Sequence, residues 1–205
     1  MRPGVMVFDI GRVLIGRDPE GFYDRVIGPA RRAALFAAVD LHAMNLNIDL
    51  GRGFCRVVQD CAAAHPDRAP EILLWHDRWS DMVPGPIDGS VHLLRALRAR
   101  GVPVLALTNF GRETLDIARS RFDFLNEFDA MFVSGDLGLI KPDPAIYAAV
   151  EAAGHAPASL FLADDMPANC AAAAARGWHA HRFDGAAGLE RALVAHGLLP
   201  QETRP

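Results

Sequence analysis

The chain has 205 residues, of which 51% are hydrophobic and 22% are charged, a composition typical of a globular protein. Its formal net charge is −4, and it has no basic stripe interleaved with aromatic residues, so we expect no nucleic-acid partner. No apolar run approaches the roughly 18 residues of a membrane span, and the first residues are too weakly apolar for a secretory signal. The three cysteines are too scattered for a disulfide framework. These observations predict a cytoplasmic, reduced protein that binds no membrane.

Short apolar runs and helical patterns alternate along most of the chain. The run VMVF at 5–8 ends at Asp9, and its length and β-branched residues predict a buried strand. Residues 19–82 then contain no strand pattern, and Gly and Pro divide them into predicted helices at 30–42, 51–64 and 70–82. The remaining predicted elements are strands at 102–107, 130–134, 159–163 and 178–182, and helices at 89–100, 112–122, 144–153, 167–176 and 187–196.

The order of these elements predicts an α/β fold. Strands that alternate with helices form parallel sheets, so we expect a Rossmann-like parallel sheet with helices on both faces. The helical block interrupts this alternation directly after the first strand, which indicates a small α-helical cap inserted there. We predict a core formed by residues 1–15 and 85–205 and a cap formed by residues 16–84, with joints near Gly16 and the stretch PGPIDG.

Polar residues follow the predicted strands at the points where the strands end. In open parallel sheets the ligand binds beyond these carboxyl ends, so we expect the residues to converge on one crevice. Crowded carboxylates need a cation, and hard oxygen ligands suit Mg²⁺, which also binds phosphate oxygens. A hydroxyl, an amide and a lysine could in turn hold a phosphoryl group. The residues concerned are Asp9, Thr108, Asn109, Lys141, Asp164 and Asp165.

Lys141 is the only lysine in the chain, and the other 20 basic residues are arginines. It lies in the sequence GLIKPDP, just before a predicted helix with Asp143 as N-cap and Pro144 in the first turn. An ammonium is a compact charge on a flexible stem, so it fits between two anions where a planar guanidinium would not. We interpret this lysine as a charge that neutralises a nucleophilic carboxylate and a phosphoryl group.

Four stretches resemble the ordered motifs of the haloacid dehalogenase-like (HAD) hydrolase superfamily. They are VFDIGRVL at 7–14, LALTNFG at 105–111, LGLIKPDPAIY at 137–147 and LFLADDMPAN at 160–169. The likeness extends over about residues 4–182 and includes a helical insert at the position of the family's small cap. In the sequences of these motifs, the chain most resembles bacterial sugar-phosphate phosphatases of the group that includes α-glucose-1-phosphate phosphatases. The resemblance implies a Mg²⁺-dependent phosphatase that acts on a small phosphorylated metabolite.

The resemblance also implies a role for each motif residue. Asp9 would attack phosphorus and form an aspartyl-phosphate, which water then hydrolyses. Asp9 would also bind Mg²⁺, while other residues would stabilise the transferring charge. The other metal ligands would be the carbonyl of Gly11, the carboxylate of Asp165, and Asp164 either directly or through water, with Asn169 supporting them. The phosphoryl group would be held by Thr108, the Asn109 amide and Lys141.

The chain departs from the family pattern at Gly11. Most phosphatases of the superfamily carry a second Asp there, and losing this general acid could cost about 10²–10⁴ in rate. Relatives with a DLG version of the motif are still phosphatases, so we predict a preference for good leaving groups such as anomeric phosphates. Gly11 also leaves two other functions open: a metal-free 2-haloacid dehalogenase, and a catalytically degenerate phosphate-binding or regulatory relative. The paired acids at 164–165 favour a metal and hence the phosphatase.

Two further residues are candidates for substrate binding. Arg12 is unusual at its position and is either a guanidinium that reaches the substrate or a solvated side chain. In the cap, the polar stretch AMNLNIDLGR at 43–52 interrupts the helical pattern, and Asn45 there either points at the substrate or caps a turn. The sequence leaves the oligomeric state open between a monomer and a homodimer.

Overall fold

A parallel sheet lies at the centre of the protein in the computed structural model, which describes residues 2–201. Its strands are β1 Val5–Phe8, β2 Val104–Thr108, β3 Ala130–Val133, β4 Leu160–Asp164 and β5 His179–Arg182. Their order across the sheet is β3-β2-β1-β4-β5, so the first strand of the chain lies in the middle. The predicted Rossmann-like sheet is confirmed.

The central strand is covered on both faces. It pairs with β2 and β4, and Met6 lies opposite Val104 on one side and Phe161 on the other. Because side chains alternate along a strand, Met6 packs in the apolar cluster on one face of the sheet and Val7 in the cluster on the other. β2 and β4 are buried along their whole length, which explains why their sequences are continuous apolar runs.

Helices lie on both faces of the sheet, as predicted. In chain order they are α1 Pro19–Ile27, α2 Pro29–Ala38, α3 Leu41–Asp49, α4 Phe54–Ala64, α5 Ala69–Asp77, α6 Asp88–Ala99, α7 Arg112–Arg121, α8 Ser134–Leu137, α9 Pro144–Ala152, α10 Pro167–Ala175 and α11 Ala186–Ala195. Leu94 of α6 and Leu193 of α11 join the apolar cluster on one face, and Val150 of α9 joins the cluster on the other. Among residues 2–201, no helix combines the length and the hydropathy that a membrane crossing requires.

Three predicted helix ends in the helical block are wrong, those at 42, 51 and 82, and two helices, α1 and α3, were not predicted. α1 begins at Pro19 because the Asp18 side chain caps it, accepting a hydrogen bond of 2.9 Å from the backbone of Gly21. The predicted helix at 70–82 instead ends at Asp77, and a short 3₁₀ segment, Trp79–Met82, follows.

The polar stretch at 43–52 does not interrupt the helical pattern. Most of it forms α3, whose N-cap is Asp40: its side chain accepts a hydrogen bond of 2.8 Å from the backbone of Ala43. The helix accommodates these polar side chains because they form hydrogen bonds with one another and with charged neighbouring residues, as described below. Asn45 is therefore a mid-helix residue, and the alternative that it caps a turn is wrong.

The helical block α1–α5 is joined to the sheet by two chain segments that run side by side. The backbone N–H of Gly16 donates to Gly85 at 2.8 Å, and that of Ile87 donates to Leu14 at 2.8 Å. The block also rests on the carboxyl end of the sheet, where the Trp79 and Phe110 rings lie 5.9 Å apart. This placement positions the helices over the end of β1. The division into a core and a cap with the stated boundaries stays a prediction.

Candidate active site

The ends of β1, β2 and β4 meet around the side chain of Lys141. Its Nζ lies 3.1 Å from Oδ1 of Asp9 and 2.7 Å from Oδ2 of Asp164, and it donates to the Leu107 carbonyl at 2.7 Å. The side chain is 1% exposed, so the ammonium can neutralise these carboxylates without competition from bulk water. The single lysine thus lies between two carboxylates, and its contact with a phosphoryl group stays a prediction.

The Asp164 carboxylate accepts hydrogen bonds from three residues of the protein. Its oxygens accept hydrogen bonds from Lys141 Nζ at 2.7 Å, from the backbone of Met166 at 2.9 Å and from Nδ2 of Asn169 at 2.9 and 3.1 Å. The residue is fully buried. Both of its carboxylate oxygens are therefore occupied, and its evident effect is to fix the position of the lysine. Asn169 acts on this carboxylate from the first turn of α10.

Three carboxylates form a group that could hold a metal ion. One oxygen each from Asp9, Asp164 and Asp165 lies within 4.8 Å of the others. Asp165 has 20% of its side chain exposed, and the nearest cation, Arg12, is 3.9 Å away. A hard divalent cation fits this all-oxygen donor set, because Mg²⁺ commonly uses one or two carboxylates and completes its shell with water and phosphate oxygens.

Burial perturbs the titration of these groups. It raises the pKa of Asp9 to about 6, although the nearby Lys141 ammonium opposes the rise. Burial and the Asp164 charge also raise the pKa of Asp165. Burial alone would lower the pKa of Lys141, but the carboxylates of Asp9 and Asp164 outweigh it and raise this pKa. Three carboxylates thus share one buried ammonium, and a further cation would favour their ionised forms.

Thr108 ends β2 with a buried hydroxyl that has no hydrogen-bond partner within the described part of the chain. The residue is 1% exposed. Burying an unpaired hydroxyl costs about 1–3 kcal/mol, so such a group usually serves a ligand or an ordered water. Its place on the strand next to β1 puts the hydroxyl at the same end of the sheet as Asp9. The geometry suits a phosphoryl oxygen.

The side chain of Asn109 is engaged with the backbone of Lys141. Its Nδ2 donates to the Lys141 carbonyl at 3.0 Å, and its Oδ1 accepts from the Lys141 N–H at 2.8 Å. This two-point contact holds the lysine loop against the end of β2. The backbone N–H of Asn109, rather than its side chain, is the group left to contact a ligand.

Gly11 and Arg12 form the turn that follows Asp9. A Cβ built on Gly11 would meet no atom within 4 Å, so the position opens onto free space. Arg12 adopts a left-handed φ of 59°, which is uncommon for a residue with a side chain, and its N–H donates to Ile15 at 2.7 Å. Its guanidinium is 57% exposed and reaches toward Asp165. Arg12 thus lies at the entrance of the site.

A cavity of about 670 Å³ adjoins this entrance. Asn45 lies on its wall, where it accepts a hydrogen bond of 2.9 Å from Nη2 of Arg17. The Arg17 guanidinium also lies 5.5 Å from the centre of the Trp75 ring. The cavity is lined by, among others, Arg12, Arg17, Phe36, His42, Asn45 and Trp75.

Three further residues near the site, Arg17, Asp49 and Ser134, carry no sequence motif that predicts their position. Asn45 Nδ2 donates to Oδ2 of Asp49 at 2.7 Å, and Ser134 Oγ donates to the Asp49 carbonyl at 2.6 Å. Ser134 thereby connects the end of α3 to the start of α8, which directly follows β3. The only sequence signal was the helical spacing of four between Asn45 and Asp49, which was hidden because the stretch was interpreted as a break in the helix.

A family model for haloacid dehalogenase-like hydrolases matches residues 56–177, which is well over half of the chain. The chain belongs to this family. The resemblance seen in the four motifs is therefore confirmed at the level of the HAD superfamily. No curated protein matches the sequence.

Solved structures of HAD proteins share the fold. The HAD family enzyme bt-2542 of Bacteroides thetaiotaomicron is 20% identical with a TM-score of 0.71, over 90% of this chain and 95% of that chain. A HAD-like hydrolase of Porphyromonas gingivalis is also 20% identical, with a TM-score of 0.71 over 94% and 98% of the two chains. L-2-haloacid dehalogenase of Xanthobacter autotrophicus is 18% identical, with a TM-score of 0.63 over 97% and 85%.

These similarities establish the HAD fold. At sequence identities this low, the reaction of one protein cannot be assigned to another. bt-2542 has been crystallised with magnesium and inorganic phosphate. The Xanthobacter enzyme has been crystallised with chloropropionic acid covalently bound. The sugar-phosphate subtype, the cytoplasmic location and the choice between monomer and homodimer stay predictions for this HAD-like hydrolase.

Proposed function

We propose that this HAD-like hydrolase is a Mg²⁺-dependent phosphomonoester hydrolase that acts through an aspartyl-phosphate on Asp9. The observation that carries the proposal is the buried, unpartnered hydroxyl of Thr108 beside Asp9 and Lys141. A hydroxyl donor, an ammonium and a carboxylate nucleophile at one strand end suit a tetrahedral group with several oxygens. The magnesium and phosphate bound to bt-2542 agree with this chemistry.

In the proposed reaction a carboxylate oxygen of Asp9 attacks phosphorus while the bond to the alcohol oxygen breaks. Thr108 Oγ and the backbone N–H of Asn109 donate to the phosphoryl oxygens. Lys141 stabilises the negative charge shared between Asp9 and the phosphoryl group. Water then attacks the phosphorus of the aspartyl-phosphate, which releases inorganic phosphate and restores the Asp9 carboxylate.

Asp9 and Asp165, with the backbone carbonyl of Gly11, would hold the metal ion. When bound, Mg²⁺ supplies positive charge that offsets the charge of the phosphoryl oxygens and orients the group for attack. Asp164 already accepts hydrogen bonds on both oxygens, so we assign it to positioning Lys141 and, through water, to the metal. Asn169 supports this arrangement by holding Asp164.

Hydrolysis of p-nitrophenyl phosphate with Mg²⁺ tests this proposal directly. That leaving group needs little protonation, so the absence of an acid at Gly11 should not mask activity. We expect turnover with Mg²⁺, a fall of about 100-fold or more with chelator, and recovery when Mg²⁺ is restored. Folded protein that binds Mg²⁺ and phosphate without turnover would instead identify a catalytically degenerate relative.

The second candidate function is that of a metal-free 2-haloacid dehalogenase. Gly11 favours it, because displacement of halide from carbon requires no acid at this position. The similarity to the Xanthobacter enzyme agrees with it at the level of fold. Halide release from 2-haloacids in the presence of chelator, without phosphatase activity, would support this function over the phosphatase.

The cavity next to the site would bind the leaving group of the substrate, which is the part that remains after the phosphoryl group is removed. Arg17 donates to the neutral Asn45, and Arg12 is only loosely paired with Asp165 at 3.9 Å. The lining also includes two carboxylates, but Glu20 pairs with Arg32 at 3.5 Å and Asp40 caps α3. The two guanidinium groups are therefore the charges left to favour an anionic group there. We therefore propose a small metabolite with a second anion, such as a carboxylate, in preference to a neutral sugar phosphate. Arg12 and Asn45 would contact it.

Arg12→Ala should discriminate between these substrates. We expect KM to rise about tenfold for phosphorylated carboxylic acids, because a charge-assisted hydrogen bond of about 1.5 kcal/mol is lost, and to stay unchanged for neutral sugar phosphates. Arg25→Ala is the matched control, since Arg25 is 62% exposed on α1 and pairs with Asp18 away from the cavity. Equal KM values for wild type and Arg12→Ala on both substrate classes would show that Arg12 is merely solvated.

A further inference from the structure

We propose that Asp49, the last residue of α3, supplies the general acid and base that is missing at Gly11. The proposal rests on the proposed phosphatase function and adds a catalytic residue to it. A hydrolase of unactivated phosphate esters must protonate the leaving alcohol, and HAD-like chains with a glycine at this position lack the usual local carboxyl. Asp49 brings a carboxyl to the same crevice from the helical block instead of from the turn after β1.

The end of α3 is fixed against the strand ends that carry the site. Ser134 Oγ donates to the Asp49 carbonyl at 2.6 Å and the same hydroxyl accepts from the Phe110 N–H at 2.8 Å, which joins α3 to the loop after β2 and to the start of α8. Gly111 allows the close approach: a Cβ there would lie 2.8 Å from the Ile48 carbonyl oxygen. The Asp49 carboxyl is therefore placed by packing and is not carried on a free loop.

The carboxyl has defined neighbours on both sides. Asn45 Nδ2 donates to Oδ2 at 2.7 Å, and the backbone N–H of Gly111 interacts with the same carboxylate. Arg17, Asp9 and Lys141 are close enough for their charges to act on it. These contacts hold one oxygen against α3 and join the carboxyl, through Asn45, to the wall of the cavity, while the Asp9 charge acts on it from the other side.

Its protonation suits both halves of the reaction. Burial raises the pKa of Asp49 to about 7; Arg17 and the Gly111 N–H oppose the rise, and the Asp9 carboxylate adds to it. A group with a pKa near the working pH can give a proton in one step and take one in the next. No other carboxyl of α3 lies on this side, since Asp40 caps the opposite end of the helix.

Gly11 and Asp49 make a complementary pair. A Cβ at position 11 would meet no atom within 4 Å, so the turn leaves room beside it for a leaving group and for an acid that reaches it from α3. In the first step the bond between phosphorus and the alcohol oxygen breaks, and that oxygen takes the proton of Asp49. In the second step the Asp49 carboxylate takes a proton from water as the water oxygen bonds to phosphorus and Asp9 leaves.

The test compares an alkyl phosphate with p-nitrophenyl phosphate for wild type, Asp49→Asn, Gly11→Asp and the double variant, with Mg²⁺. The ratio kcat/KM reports steps up to departure of the alcohol, so the later hydrolysis of the aspartyl-phosphate does not enter. We expect Asp49→Asn to lower kcat/KM about 10²–10³-fold for the alkyl phosphate and less than about tenfold for p-nitrophenyl phosphate. Gly11→Asp should restore the alkyl phosphate rate in the double variant.

The controls separate a chemical role from a structural one. Asp60→Asn makes the same change on the exposed face of α4 and should leave both rates unchanged. An equal loss on both substrates that Gly11→Asp does not rescue would assign Asp49 to structure and overturn the proposal. Full alkyl phosphate activity in Asp49→Asn would overturn it as well, while leaving the phosphatase function intact. A wild type without any turnover would instead remove the phosphatase function, and this proposal with it.

Discussion

Asp9→Asn is expected to abolish hydrolysis of p-nitrophenyl phosphate, with kcat lowered by at least about 10⁴-fold, a loss typical for a removed nucleophile. An amide cannot form the acyl phosphate, and it is a poorer ligand for Mg²⁺ than a carboxylate. The fold should tolerate the change, because Lys141 keeps Asp164 as a partner at 2.7 Å. Removal of one of two neighbouring negative charges should leave the midpoint of thermal unfolding unchanged or higher.

The matched control for this variant is Asp123→Asn, an acid-to-amide change at an exposed residue after α7. It should retain the kcat of the wild type. A phosphorylated enzyme species trapped by acid quench in the wild type and absent from Asp9→Asn would identify the acceptor. Substantial turnover by Asp9→Asn, with its midpoint of unfolding intact, would contradict the assignment of Asp9 as nucleophile.

Lys141→Met is expected to lower the free energy of unfolding by about 3–5 kcal/mol in the absence of metal, because it leaves buried carboxylates without their cation. The methionine preserves the length of the side chain and removes only the charge and its hydrogen bonds to Asp9, Asp164 and Leu107. Mg²⁺ should stabilise this variant more than the wild type, since the ion restores some of the missing charge. Urea unfolding with Mg²⁺ and with chelator measures both effects.

Arg98→Met is the control, because it removes a cation from an ion pair with Asp129 in which the two side chains are 35% and 47% exposed. More exposed pairs contribute little, so the expected loss is about 1 kcal/mol or less and independent of Mg²⁺. A Lys141→Met protein that unfolds at the same urea concentration as the wild type without Mg²⁺ would show that Asp9 and Asp164 need no cation in the folded state.

The strands and the order of the motifs could be predicted from sequence, because a strand that is buried on both faces is a continuous run of apolar residues. VMVF at 5–8 is apolar throughout and gives β1 with the predicted bounds. α9 likewise has a local signal, since Asp143 accepts from the Ala145 N–H at 2.8 Å and Pro144 opens the helix. α3 was misread because hydrophobic periodicity registers neither the local bond of Asn45 to Asp49 nor the distant bond of Arg17 to Asn45.

The same reason limits what the sequence could say about the site. Residues at strand ends were predictable because parallel strands end at one edge of the sheet. The functions of Asn109 and Asp164 in holding Lys141 depend on hydrogen bonds across 32 and 23 residues, and no spacing rule gives these contacts. Asp49 approaches the strand ends only because α3 packs on the loop after β2 and the start of α8, and Arg17 joins it through Asn45. Their role follows from tertiary packing alone.

The position of the one lysine also makes the active site accessible to magnetic resonance. A nitrogen isotope supplied in lysine alone would label a single side chain, and its Nζ lies 3.1 Å from the Asp9 oxygen. Because that ammonium is held by three acceptors and shielded from water, its protons should exchange slowly enough to give a magnetic resonance signal. One resonance, free of any background, would then report when a metal ion arrives and when Asp9 becomes phosphorylated.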